Sequence, residues 1–214
     1  MDLFKFSSRL LLRTALAALL ALPLLTSAVR ADNPANDSDA ITITLKPMVD
    51  IGVTIDTTNV NLDFTLAMGA TDYVASSVTV TIVGNIQPQE LDLSASNVSD
   101  SPVWTLDTDE VSAQDEFQLY ALFSVGRATH PLEVEFDGVK NLLTGTPTRA
   151  GKSPGQLDNG NFENTVMEGG ANMDNILLTA PSRQLWLRLD APPLTSTESE
   201  QKIQVTVTAT RTDL

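Results

Sequence analysis

A single histidine, His130, and no cysteine among 214 residues narrow the chemistry open to this chain. Zinc and copper sites draw on cysteine thiolates and histidine clusters. Thiol nucleophiles and disulfides need cysteine outright. A Ser-His-Asp triad would have to run through His130, which sits immediately before Pro131, and no Gly-x-Ser-x-Gly nucleophile elbow is expected. No Gly-x4-Gly-Lys phosphate loop is present. Carboxylates are abundant, 27 Asp and Glu against 13 Lys and Arg. A pair for glycoside hydrolysis could be drawn almost anywhere, so no particular pair stands out. These features predict a protein that is not an enzyme.

Two groupings carry a binding expectation. Asp107, Asp109 and Glu110 lie close together, and carboxylate oxygens on a loop are hard ligands suited to Ca²⁺. Their spacing is not that of an EF-hand loop, and the same residues also read as a solvated acidic turn. Trp186 and Arg188 form the other grouping, with Trp104 as a second aromatic anchor. If Leu185, Leu187 and Leu189 point inward on a strand, Trp186 points outward beside Arg188. An exposed indole can stack on a sugar ring or anchor a protein partner. The competing expectation is that a long loop or a second layer covers it.

The elements that would position these residues are strands. Ile41, Ile43 and Leu45 alternate with Thr42 and Thr44, and the same period of two recurs at Ile51/Val53/Ile55, Leu62/Phe64/Leu66, Val78/Val80/Ile82 and Leu91/Leu93/Ala95. Leu132/Val134/Phe136, Leu185/Leu187/Leu189 and Ile203/Val205/Val207/Ala209 continue it. Residues 117–125 are apolar on both faces, which predicts a central strand. Gly69, Gly84-Asn85, Ser101-Pro102, Asp137-Gly138 and Pro192-Pro193 punctuate the runs. The expected fold is an all-β, immunoglobulin-like antiparallel sandwich with Greek-key connections, a single domain over residues 41–214. Residues 144–175 are rich in Gly, Asn, Pro and Thr and are expected to form one long loop insertion, either a binding loop or a floppy excursion.

Residues 1–31 have the pattern of a secretory signal peptide. Lys5, Arg9 and Arg13 precede an Ala/Leu run at 14–28, and Val29-Arg30-Ala31 suits cleavage after Ala31. Residues 32–40 are polar and expected to be a flexible leader. The signal holds four of the 13 basic and one of the 27 acidic residues, so the mature chain would carry a formal net charge of −17. Such a surface repels nucleic acid and anionic lipid. With no second long apolar run, the mature chain is expected not to span a membrane and to act in the periplasm, at the cell surface or outside the cell.

Leu62-Asp63-Phe64, Gly69, Val78-Thr79-Val80-Thr81 and Gly84-Asn85 resemble the opening of immunoglobulin-like modules of the abnormal-spindle/hydin type. Thr65 stands where those modules carry Gly, and their turn is Asn-x-Gly rather than Gly-Asn. The closing stretch, from Trp186-Leu187-Arg188-Leu189 through residues 203–207, is similar to the end of secreted bacterial sandwich proteins. The resemblance covers the two ends of the mature chain and implies a fold, which does not fix a function. Trp104-Thr105-Leu106 also spells the tripeptide of Trp-x-Leu cell-wall-binding domains, but the second copy fails at Arg188.

The short, Thr-rich runs at both ends of the expected domain, 41–45 and 203–210, could each pair with an open sheet edge on a neighbour. The expected function is therefore that of an exported structural or surface protein acting through protein contacts, including self-association into a filament or surface layer. The alternative is a carbohydrate- or ligand-binding module.

Overall fold

The computed structural model describes residues 45, 48–58, 60, 62–100, 102–109, 112–153 and 155–211. The expected signal peptide, the leader at 32–40, residues 41–44 of the expected first strand, and Glu110 lie outside the described residues. The chain divides into two units, Met1–Lys46 and Pro47–Leu214, and the fold below is that of the second.

Among the described residues nine strands form two sheets. They are β1 (Ile51–Asp56), β2 (Thr71–Tyr73), β3 (Val78–Gly84), β4 (Gln89–Asn97), β5 (Thr105–Leu106), β6 (Glu116–Ser124), β7 (Thr148–Arg149), β8 (Ser182–Asp190) and β9 (Ile203–Arg211). The larger sheet runs β1-β3-β8-β6-β5, with β2 also paired to β8, and it curls into a half-barrel. The smaller runs β7-β4-β9. All pairings are antiparallel except β5 with β6.

Alternation explains the shared core. In the larger sheet Val78 pairs with Leu185, and Leu119, Ala121 and Phe123 pair with Leu189, Leu187 and Leu185. These side chains share one face, because residues opposite each other in a ladder project to the same side. In the smaller sheet Leu91, Leu93 and Ala95 pair with Ala209, Val207 and Val205. The two inner faces join in one hydrophobic cluster.

Several expectations about local structure are corrected. Residues 62–66 form no strand; Phe64 and Leu66 instead pack as irregular chain against the core. Residues 132–136 form no half-exposed strand but a 3-10 turn over Glu133–Glu135. The reason is local hydrogen bonding. The Glu135 carboxylate accepts the Leu132 N–H at 2.5 Å and both terminal nitrogens of Arg127, at 2.9 and 2.7 Å, so this segment satisfies its polar groups without a ladder partner.

The stretch 144–175 is not a floppy excursion. It contributes β7 to the smaller sheet and adds backbone bridges to β6 at Phe123 and Ser124. Phe162 and Met173 are fully buried. Its fold turns on two carbonyl-and-amide exchanges between Gly151 and Asn161, at 2.8 and 3.0 Å, and on the buried Glu163. That carboxylate accepts the N–H groups of Gly160 at 2.7 Å and Met173 at 2.9 Å. Gly160 is required by packing: a Cβ there would lie 1.9 Å from the Gly151 carbonyl carbon. Among the described residues no helix is long and apolar enough to cross a membrane.

Candidate functional site

Trp186 is not an exposed platform. It lies on the outer face of β8, as alternation requires, but is only 1% exposed. Its Nε1 donates to Ser124 Oγ at 2.8 Å, and Ser124 Oγ donates to Gln184 Oε1 at 3.2 Å. Gln184 in turn accepts the Arg127 N–H and donates to the Arg127 carbonyl. The outer face of this sheet is covered: Tyr120, Leu122, Phe136, Leu142 and Met167 form a second apolar cluster on it. Sugar stacking on an open Trp186 is thereby excluded in this fold.

Arg188 is engaged as well. Its Nε and Nη2 donate to the two carboxylate oxygens of Asp190, at 3.0 and 2.6 Å, and its guanidinium lies 4.7 Å from the Tyr120 ring centroid. Burial works against its charge, but the Asp190 carboxylate holds its pKa above the usual arginine value. The buttressed guanidinium is a structural fixture of the outer face.

Asp107 is buried. Its oxygens accept the Asp109 N–H at 2.9 Å, Gln118 Nε2 at 2.9 Å and Ser112 Oγ at 3.4 Å. Burial pushes its pKa up, and the hydrogen bonds from Asp109, Gln118 and Ser112 more than offset this, leaving it below the ordinary carboxylate value. This is an Asx-type turn in which protein donors already occupy the carboxylate. Among the described residues no three His, Asp or Glu side chains converge as metal ligands.

The expectation of no Gly-x-Ser-x-Gly pattern is corrected by the sequence itself, which carries one at 151–155. Its Ser153 is exposed, in a turn closed by Gln156, and no helix follows it among the described residues, whereas a nucleophile elbow needs a strand-turn-helix frame. His130 stacks on Tyr73 with 4.6 Å between ring centroids. No hydrogen bond joins the two among the described residues.

Trp104 leads to the site that sequence reading missed. Its ring packs against Phe117 and its Nε1 donates to Thr195 Oγ1 at 2.9 Å. It forms part of the wall of a groove of about 970 Å³ between the two sheets. One wall is Val78, Leu119, Leu185, Leu187 and Leu189 of the larger sheet; the other is Ile203, Val205 and Val207 of β9. Leu62, Phe64, Leu66 and Met68 form a flank, and the 195–202 loop makes a polar rim with Glu198, Glu200 and Lys202.

The groove is a seam in the core. β1 ends the larger sheet and β9 ends the smaller one, and the two approach each other. Ile51, Val53 and Ile55 face the core, because their partners in β3 are Gly84, Ile82 and Val80. Ile51 nevertheless stays 37% exposed and Ile55 44%. Core-facing isoleucines normally become buried. Here the layer that would cover them is missing from the chain's own described fold. The signal that could have pointed here is the pair of alternating runs at 51–55 and 203–209, each ending a sheet; but strand order is not legible in alternation.

No protein-family model matches the sequence, and no curated protein matches it.

Proposed function

We propose that this protein is an exported, non-catalytic structural or surface subunit that works through protein–protein contacts and self-associates, as in a filament or surface layer. The single observation that carries the reading is the open seam between β1 and β9, with core-facing apolar side chains left in contact with solvent. A seam of this kind, between two strands that end their sheets among the described residues, invites stacking by another chain. Export is supported by the n-region, apolar run and Val29-Arg30-Ala31 site, and a cysteine-free chain needs no oxidative folding on arrival. The non-sequential strand neighbours β3-β8-β6 and β4-β9 support reading the two sheets as an immunoglobulin-like, Greek-key variant, in keeping with the resemblance to abnormal-spindle/hydin modules. The formal net charge of −14 favours protein partners over nucleic acid.

Electron microscopy and size-exclusion chromatography of the chain beginning at Asp32 test this reading. Ordered polymers are expected. A monomer at every concentration overturns it.

A second reading, a module that binds an apolar ligand, is favoured by the groove's volume of about 970 Å³, within the range of small-molecule sites. A fluorescent fatty acid bound stoichiometrically by a monomeric chain, and lost on Leu187→Glu, would support it. Absence of binding removes it.

A further inference from the structure

We infer that a small polar hollow between residues 134–141 and 158–164 binds the hydroxyl-bearing end of a neutral sugar. The site goes beyond the subunit reading and does not depend on self-association.

The hollow has a volume of about 290 Å³. One wall comes from the 3-10 turn and the Asp137-Gly138 turn after it, the other from the 158–164 stretch. The walls are tied to each other. The Phe162 N–H donates to the Lys140 carbonyl at 3.1 Å, Asn164 Nδ2 to the Glu135 carbonyl at 3.0 Å, and Lys140 Nζ to Asp158 Oδ2 at 2.7 Å. A site braced in this way is formed before a ligand arrives. Small-molecule sites run from roughly 300 to 1,000 Å³, so this one has room for a single ring and not for a long chain.

Asn141 points to the ligand's chemistry. It lines the hollow and is fully buried. Its backbone N–H donates to the Asp137 carbonyl, its carbonyl accepts the Ala121 N–H, and its Oδ1 accepts the Asp137 N–H at 2.6 Å. Its Nδ2 alone has no partner among the described residues. Turning the carboxamide over would set its NH₂ against the Asp137 N–H, so its orientation is fixed. Buried donors are almost always paired, and this one asks for an acceptor from the hollow.

The surrounding charges narrow the choice. Asp137, Asp158 and Glu163 line the same hollow and oppose an anion. A metal ion or a lysine side chain brings no acceptor for Asn141 Nδ2, and an apolar group leaves it unpaired. One water would satisfy the amide, but the hollow exceeds a water's share of about 30 Å³ many times over. Hydroxyl groups meet every requirement, because each both accepts and donates. One accepts from Asn141 Nδ2 while its neighbours donate to carboxylate oxygens. Asp137 uses Oδ1 for the Val139 and Lys140 N–H groups, which leaves its Oδ2 over, and the Asp158 side chain is 75% exposed.

The apolar faces of a sugar ring need cover as well. Val134 lines the hollow and is 85% exposed. Val139, Leu157 and Val166 are also exposed, and each is next to or two residues from a lining residue.

The test uses the intact chain and two kinds of probe. On a glycan array with neutral hexose, N-acetylhexosamine and uronic acid ends, retention is expected on neutral ends and not on uronic acids. In titrations of the ¹⁵N-labelled chain with glucose, galactose, mannose and N-acetylglucosamine, the side-chain NH₂ resonances of Asn141 are expected to shift and saturate with at least one. Asn141→Asp keeps the acceptor for the Asp137 N–H and deletes the NH₂. Asp158→Ala removes an exposed carboxylate whose ion pair adds little to stability. Each is expected to weaken binding about tenfold, the loss of one good hydrogen bond, and Asp158→Ala should do so at an unchanged melting temperature even where Asn141→Asp folds poorly. Retention of no glycan overturns the inference. So does sugar binding that leaves the Asn141 NH₂ resonances in place, binding that survives Asp158→Ala undiminished, or uronic acids held as well as neutral sugars.

Discussion

The indole N–H of Trp186 donates to the hydroxyl of Ser124 at 2.8 Å, across the paired strands β8 and β6. The contact explains how a tryptophan on the outer face of a sheet can be buried: its one polar atom is satisfied within the protein. Ser124→Ala leaves that N–H buried without an acceptor. The expected cost is about 1–3 kcal/mol, read as a lower midpoint in urea unfolding with an unchanged slope. A change below about 0.5 kcal/mol would mean that Trp186 has another partner.

Glu163 ties the 144–175 segment together by accepting two backbone N–H groups, those of Gly160 and Met173. In Glu163→Gln one of those donors meets an amide NH₂ instead of an oxygen. The variant is expected to lose about 1–3 kcal/mol, and amide hydrogen exchange in residues 150–175 should quicken before the rest of the fold. Uniform exchange throughout would show that this segment unfolds only with the whole domain.

Gly160 and Gly145 make a matched pair of substitutions. A Cβ at Gly160 meets the Gly151 backbone at 1.9 Å, whereas at Gly145 the nearest atom is Ala95 O at 4.0 Å. Gly160→Ala is expected to destabilise by about 1–3 kcal/mol through forced backbone shifts. Gly145→Ala should leave the melting temperature nearly unchanged.

Acid should unfold the protein through two hydrogen-bonded carboxylates. Burial raises the pKa of Asp107 and of Glu135, but donors from Asp109, Gln118 and Ser112 in one case, and from Arg127 and the Leu132 N–H in the other, bring both below their ordinary values. A carboxylate with a depressed folded pKa adds stability that is fully present at neutral pH and is lost as pH falls through that depressed value. The melting temperature should thus hold above about pH 5 and fall below about pH 4. Glu135→Gln should flatten part of that fall while lowering the plateau.

Ile55 separates folding from assembly. It faces the core yet remains 44% exposed, so Ile55→Thr removes little buried surface from the monomer. A small change in monomer stability, under about 1 kcal/mol, is expected together with a weakened association in sedimentation velocity. Unchanged association would place the contact elsewhere.

Alternation marked the runs 51–55, 78–82, 91–95, 185–189 and 203–209, which lie in the strands at 51–56, 78–84, 89–97, 182–190 and 203–211, because a strand with one buried face must place apolar residues two apart; apolar character on both faces marked 117–125, which overlaps the strand at 116–124. It also determined the face on which Trp186 lies. It could not tell that this face is covered, since burial of a second face depends on Tyr120, Leu142 and Met167 arriving from other parts of the chain. The 132–136 run shows the converse failure: its alternation is real, but Glu135 finds Arg127 and the Leu132 N–H, and local hydrogen bonds outcompete a ladder. Strand order was decided only in three dimensions. Which strands end their sheets follows from long-range pairing, and it is that pairing which, among the described residues, places β1 and β9 at the ends of their sheets beside the groove. Nothing in the spacing of Ile51, Val53 and Ile55 distinguishes a covered core face from an uncovered one.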